Sequence, residues 1–183
     1  MEKELDDIHE IIYGCKKDDR KAQERLYRSY YRVMMNLCVR YTGNETDALS
    51  VLNLGFLKIF RNIQRYDPGQ ASFYTWMRTI VINSCLDHIR SRQKEMITGE
   101  LDEAANVEIE PSIIAKMKAG EVLELVKQLP PATQAVFNLF VMEGYGHKMI
   151  AAFLQISDGT SKWHLSEARK TLKKLMEEQD SKS

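Results

Sequence analysis

SFYTWMRTIVINSCLDHIRSRQK, residues 72–94, reads as a single helix with two faces of different chemistry. Ser72 is a suitable N-cap, and nothing before Lys94 breaks the helix. Ile82, Cys85, Leu86 and Ile89 recur at the i, i+3, i+4, i+7 spacing of a buried face, and Phe73, Met77 and Ile80 are expected to bury the first turns from another side. Trp76, Thr79, Asn83, Asp87 and Arg90 form a separate stripe that combines an aromatic plate, hydroxyl and amide groups, a carboxylate and a guanidinium. Such a stripe suits opened nucleic acid. A ring can stack where a base has left, amides and carboxylates can read exposed base edges, and Arg can hold phosphate. The plainer alternative is a half-buried Trp on an ordinary amphipathic helix.

Upstream, three helices lead into this one. Ile8, Ile11, Ile12 and Cys15 make a short amphipathic stripe. A second helix, from about Arg20 to Tyr41, carries Ala22, Leu26, Tyr30, Val33, Met34 and Leu37 on one side and ends at Thr42-Gly43-Asn44. On a third, from about Glu45 to Asn62, Ala48, Leu52, Phe56 and Ile59 form the core face. Leu54 and Leu57 lie opposite, among Ser50, Asn53 and Arg61, where they hint at a docking surface, although single surface leucines are common. The loop from Gln64 to Ala71 has strong turn chemistry in Asp67-Pro68-Gly69.

Downstream the pattern changes. EMITGELDEAANVEIEP, residues 95–111, is acidic and ends in Pro111, so it reads as a linker. A helix from Ser112 to Gln128 is expected to bury Val122, Leu125 and Val126, followed by Leu129, before Pro130-Pro131 stops it. A helix from about Ala132 to Met142 comes next, then Glu143-Gly144-Tyr145-Gly146 and a short helix from His147 to Leu154 with Ile150, Ala151 and Leu154 inward. After the turn Gln155-Ile156-Ser157, Ser157 can cap a last helix that buries Leu165, Ala168, Leu172 and Leu175. Two short helices, a tight turn and a longer capped helix spell helix-turn-helix; an ordinary three-helix bundle is the alternative. The outward face of the last helix holds Thr160, Lys162, Trp163, Ser166, Glu167, Lys170 and Lys174.

No strand signal occurs, so the expected fold is all-α: two small helical domains, residues 1–94 and 112–183, joined by the acidic linker 95–111. At 183 residues, with 44% hydrophobic and 28% charged side chains, the composition is that of an ordinary soluble protein able to bury a core. No apolar run reaches a membrane span, and MEKELDDIHE lacks the apolar centre of a signal peptide, so no membrane insertion and a cytoplasmic location are expected. Cys15, Cys38 and Cys85 are odd in number and far apart, which favours reduced core residues over a disulfide framework or a metal site.

The zero net charge hides a segregation. Residues 1–94 hold 16 basic and 12 acidic side chains, net +4; residues 95–128 hold 3 and 8, net −5; residues 129–183 hold 7 and 6, net +1. A basic front and an acidic middle suggest a domain that faces nucleic acid and a connector that repels or covers it. Catalysis is not expected: His9, His88, His147 and His164 do not cluster, and no HExxH, GxSxG or P-loop is present. No metal and no cofactor are expected either.

Taken together, these residues resemble the sigma-70 family of bacterial RNA polymerase sigma factors, specifically its small extracytoplasmic-function (ECF) group. GNETDALSVLNLGFLKIFRNIQRYDP (43–68) followed by SFYTWMRTIVINSCLDHIR (72–90) is similar to region 2 of that family. LPPATQAVFNLFVMEGYGHKMIAAFLQISDGTSKWHLSEARKTLKKL (129–175) is similar to region 4. The resemblance implies that Asp47, Ser50, Asn53, Leu54, Leu57, Lys58 and Arg61 dock on the β′ clamp helices of core RNA polymerase. It implies that Arg65, Trp76, Arg78, Thr79, Asn83, Asp87 and Arg90 engage the -10 element as it melts, with the Arg65 to Ala71 loop accepting a flipped base of the non-template strand. Thr160, Lys162, Trp163, Ser166, Arg169 and Lys170 would read the -35 duplex. The β subunit and an anti-sigma factor are further implied partners.

The sequence also departs from the family pattern. Ser50, Asn53 and Leu54 stand where acidic residues and a Gln are usual, Met149 where Glu is, Gln155 where Gly is, Trp163 where a small residue is and Glu167 where Arg is. Two other readings follow. One is a helix-turn-helix regulator that acts without polymerase. The other is a sigma factor recruited mainly by a DNA-bound partner, such as an activator or an RNA-guided CRISPR effector.

Overall fold

The computed structural model of the chain describes residues 2–96 and 119–180. The expected linker beyond Met96 and the first part of the Ser112 helix lie outside the described residues. Helices account for the regular structure: α1 (Glu2–Lys16), α2 (Arg20–Thr42), α3 (Glu45–Asn62), a 3-10 turn (Ile63–Arg65), α4 (Phe73–Met96), α5 (Ala119–Val126), α6 (Pro131–Phe137), α7 (His147–Leu154) and α8 (Asp158–Asp180). No strand occurs among the described residues. The chain divides into two compact units, residues 1–85 and 86–183, with the division inside α4.

In the first unit, α2 packs against both α1 and α3, and the 3-10 turn closes against α1 and α3. Local signals set the ends of these helices. Asp19 caps α2 by accepting from Lys21 N at 3.0 Å. Gly43, at φ 75°, ends α2 with its own N–H on Val39 O, a left-handed cap that glycine adopts without a Cβ clash. Asn44 then caps α3 by accepting from Asp47 N at 2.9 Å. The core holds Ile11, Ile12, Cys15, Ala22, Leu26, Met34, Leu37, Ala48, Leu52, Phe56 and Ile59, as periodicity requires. On α2, however, Val33 is exposed and Tyr30 half-buried, while Cys38 and Tyr41 are buried instead. The buried stripe of a long helix drifts around its axis, so the residues at its far end belong to a neighbouring row.

On α4, Ser72 Oγ accepts from Thr75 N at 3.2 Å, the expected cap, and Phe73, Met77, Ile82, Cys85, Leu86 and Ile89 are all buried. Ile80 is only half-buried; Val81 and Ser84 take the inward positions. Val81 is buried because it faces Gly55 of α3, a close crossing that a polar-apolar pattern does not reveal. Cys15, Cys38 and Cys85 are free and buried, with Cys85 Sγ 3.9 Å from Cys38 Sγ. Mutual hydrogen bonding and burial push the Cys85 thiol well above the usual value, which keeps it protonated and unreactive.

In the second unit, α5, α6 and α7 each contact α8. Pro131 opens α6 from its first turn, where its missing N–H costs nothing. The helix expected to run on to Met142 instead widens into a π-helical turn at Asn138–Met142. α7 ends at Gln155, which takes the left-handed conformation at φ 57° and ψ 42° and leaves its N–H on Ala151 O. A side chain there costs on the order of 1 kcal/mol relative to an unstrained backbone. Ser157 Oγ accepts from Thr160 N at 2.9 Å and caps α8, whose Leu165, Ala168 and Leu172 are buried while Leu175 is half-buried; Ala151 of α7 is likewise half-buried.

Candidate nucleic-acid interface

The indole of Trp76 is held by its neighbours. Its ring lies 5.6 Å from that of Phe73, one turn earlier, at 26°, and 5.4 Å from that of Tyr66, which meets Phe73 edge-on at 4.9 Å. Phe73 is buried and Trp76 half-buried, so the cluster has a core side and an open side. An aromatic plate fixed in this way loses little side-chain freedom when a base stacks on it. Tyr66 lies in the Arg65–Ala71 loop expected to accept a flipped base but was not singled out by itself; its position beside the Asp-Pro-Gly turn and the helix cap was the available signal.

The loop that carries Tyr66 is tied down at several points. Tyr66 O–H donates to Ala71 O at 3.2 Å, and Asp67 Oδ1 accepts from Gly69 N at 2.9 Å. Lys16 Nζ donates to Tyr66 O at 3.4 Å, and Gln64 Nε2 donates to Lys16 O, so the C-terminus of α1 anchors the loop. Arg65 at its start is exposed.

Along α4, Thr79 and Asn83 are half-buried, Asp87 is exposed and Arg90 half-buried. Thr79 Oγ1 bonds back to Thr75 O at 3.0 Å, which leaves only its lone pairs and methyl for a ligand. Arg90 pairs with Asp87 three residues earlier, so its guanidinium is already oriented and partly neutralised. Arg78 is half-buried.

On α3, Leu54 is 55% and Leu57 43% exposed, and Ser50, Asn53 and Arg61 are exposed around them; Lys58 is half-buried. Asp47 is half-buried and its carboxylate accepts from Asn44 Nδ2 at 2.8 Å, which commits it to the start of the helix. The structure adds a residue from α2 to this face: Tyr27 O–H donates to Asn53 Oδ1 at 3.0 Å.

In the second unit, Thr160, Trp163, Ser166, Arg169 and Lys170 of α8 are half-buried and Lys162 is exposed. Trp163 turns inward more than an outward reader should, since its Nε1, like Ser166 Oγ, is buried without a hydrogen-bond partner among the described residues, and its ring meets His164 edge-on at 4.7 Å. Lys162 pairs with Asp158 at 2.8 Å, while Lys170 lies 3.9 Å from Glu167 and Lys174 3.9 Å from Glu178. The helix holds five basic and five acidic residues over 158–180, so its own carboxylates compensate its charge. Two histidines join it to the other helices: His164 Nδ1 is 3.0 Å from Thr133 Oγ1 of α6, and His147 Nδ1 of α7 is 3.0 Å from Ser161 Oγ.

Among the described residues no group of three His, Cys, Asp or Glu side chains could hold a metal ion, and no helix is long and apolar enough to cross a membrane.

Residues 26–95 match the family description sigma-70 region 2, and residues 119–172 match sigma-70 region 4. Among curated relatives, the RNA polymerase sigma-H factor of Pseudomonas aeruginosa is 24% identical over 180 residues, covering 92% of this chain and 93% of the relative. The ECF RNA polymerase sigma factor SigM of Mycobacterium tuberculosis is 29% identical over 169 residues, covering 91% of this chain and 83% of the relative. The solved structure of the sigma factor RpoE in complex with the anti-sigma factor NepR from Bartonella quintana aligns with a TM-score of 0.51 at 17% identity, covering 84% of this chain and 96% of that one; this is a likeness of fold.

Proposed function

Because this chain belongs to the sigma-70 family of RNA polymerase sigma factors, we propose that it acts as an ECF-type promoter-specificity factor, docking on core polymerase through α3 and holding melted -10 DNA on α4. The observation that carries the reading is the Tyr66–Phe73–Trp76 cluster, a fixed aromatic surface beside a tethered loop. Opening a promoter exposes bases at a cost of a few kcal/mol per flipped base, and a surface that stacks an extruded base recovers about 1 to 3 kcal/mol. The factor therefore favours the open strand by binding it, with no bond made or broken. Members of this family regulate transcription, and the chemistry of RNA synthesis belongs to the polymerase.

In this reading, Leu54 and Leu57 supply apolar contact to the β′ clamp helices, and Asn83, Asp87 and Arg90 meet base edges and phosphate next to the Trp76 ring. An anti-sigma factor that covers Leu54 and Leu57 would hold the protein away from polymerase. Run-off transcription with core polymerase, followed by mapping of the promoters bound, tests the proposal: specific initiation is expected, and duplex binding with no initiation would point to a plain helix-turn-helix regulator.

The internal ion pairs of α8 favour a second reading of the promoter's other half. A helix whose lysines are matched by its own carboxylates gains little from phosphate contact, so the -35 element is read weakly and a DNA-bound partner supplies the remaining affinity.

A further inference from the structure

The docking helix α3 is not the whole of its own surface. Tyr27, on α2, lies with its ring 4.6 Å from that of buried Phe56 and 5.5 Å from that of Tyr31, which is 38% exposed. Its hydroxyl reaches across to the exposed amide of Asn53, donating to Oδ1 at 3.0 Å. Burial and the neighbouring Tyr31 raise the Tyr27 phenol above its ordinary value, so it remains a donor. Asn53 Nδ2 has no hydrogen-bond partner among the described residues. With the carbonyl oxygen claimed by Tyr27, the two N–H donors of the amide are left for a ligand. Asn53, Leu57 and Arg61 follow at four-residue intervals, which puts them in one row along α3.

We propose that Tyr27 is a positioning residue for partner binding: it fixes the Asn53 amide with its N–H groups outward, and Tyr27 and Tyr31 extend the docking face from α3 onto α2. The occupant is core polymerase, so the inference rests on the functional reading above. A polymerase segment seated on this face lays apolar side chains over Leu54 and Leu57. It presents a hydrogen-bond acceptor to Asn53 and a carboxylate to Arg61, because the row offers donors and a positive charge at those places. An exposed asparagine free to rotate would have to be ordered when the complex forms. Tyr27 orders it beforehand, anchored by its contact with the Phe56 core.

Three variants in the full chain test this, with affinity for core polymerase and melting temperature read together. Tyr27→Phe keeps the ring on Phe56 and removes only the hydroxyl; binding is expected to weaken about three- to tenfold, with an unchanged melting temperature. Asn53→Asp keeps an acceptor for Tyr27 but replaces the outward donors with a carboxylate oxygen, and it is expected to weaken binding about tenfold or more. Asn53→Ala loses the group that Tyr27 positions, so adding Tyr27→Phe to it should cause no further loss. Wild-type affinity in Tyr27→Phe or Asn53→Asp would overturn the inference. So would additive losses in the double variant, or a fall in melting temperature that tracks the loss of binding. Failure of the unmodified chain to bind core polymerase would instead sink the functional reading, which keeps the two failures apart.

Discussion

A Cβ placed on Gly55 of α3 would meet Val81 Cγ2 of α4 at 3.2 Å and the Val81 Cα at 3.6 Å. The helix that carries Leu54 and Leu57 thus crosses the one that carries Trp76 closely enough that even a methyl at position 55 would be tight. Val81 is β-branched and fully buried, so its side chain has little freedom to withdraw. Gly55→Ala gains about 1 kcal/mol of helix propensity against a modest clash and should be close to neutral. Gly55→Leu overfills the crossing and should cost about 1 to 3 kcal/mol in urea denaturation. A Gly55→Leu protein as stable as the wild type would show that the two helices can separate freely.

Leu54→Asp and Leu57→Asp should each weaken binding to core polymerase while changing stability by no more than about 0.5 kcal/mol, since neither side chain belongs to the core. A pull-down with purified core polymerase and a melting curve measure the two effects. Retention of both variants at wild-type strength would remove α3 from the docking surface.

Trp76→Ala and Asn83→Ala should impair promoter opening more than duplex binding, because their contacts are available only after the -10 bases unstack. The Trp76 variant loses a stacking surface worth about 1 to 3 kcal/mol per base. Permanganate reactivity of the open bubble reads this, and an unchanged footprint in both variants would reduce the stripe to a structural role.

Stability of the second unit should fall in mild acid. Burial holds His164 below the usual histidine value, and burial together with Lys162 and Arg169 does the same to His147 against the opposing pull of Asp158. A lowered value in the folded state means that the unfolded chain binds the proton first, so the contribution is complete above about pH 6.5 and is lost as pH falls through the folded values. Thermal denaturation across that range should show the loss, and His164→Gln should flatten it; a melting temperature indifferent to pH would refute the assignment.

Duplex binding through α8 should show a shallow dependence on salt, because Lys162, Lys170 and Lys174 already face carboxylates of their own helix. Scrambling the -35 sequence decides how much this helix reads. A small loss of transcription agrees with recruitment by a DNA-bound partner, whereas a large loss that needs no partner restores α8 as an autonomous reader.

By itself the sequence determined the helices, their caps and most of the core. Ser72 and Ser157, read as caps from the sequence, act on N–H groups three residues away, as do Asp19 and Asn44 two or three residues away, which the sequence reading passed over; apolar spacing along a helix is equally local, so both signals are legible without a fold. The resemblance carried by residues 43–90 and 129–175 was equally open to reading, as was the outward placement of Leu54 and Leu57. Tertiary structure alone decided which side chains meet across helices. Tyr27 reaches Asn53 over 26 positions of sequence, His164 reaches Thr133 over 31, and Val81 displaces Ile80 from the core because it faces Gly55. The inward turn of Trp163, and the buried Ser166 hydroxyl beside it, followed from packing too. Periodicity specifies which face of a helix is buried; the partner that face finds depends on how helices cross, and crossing is set by shape at contacts far apart in the chain.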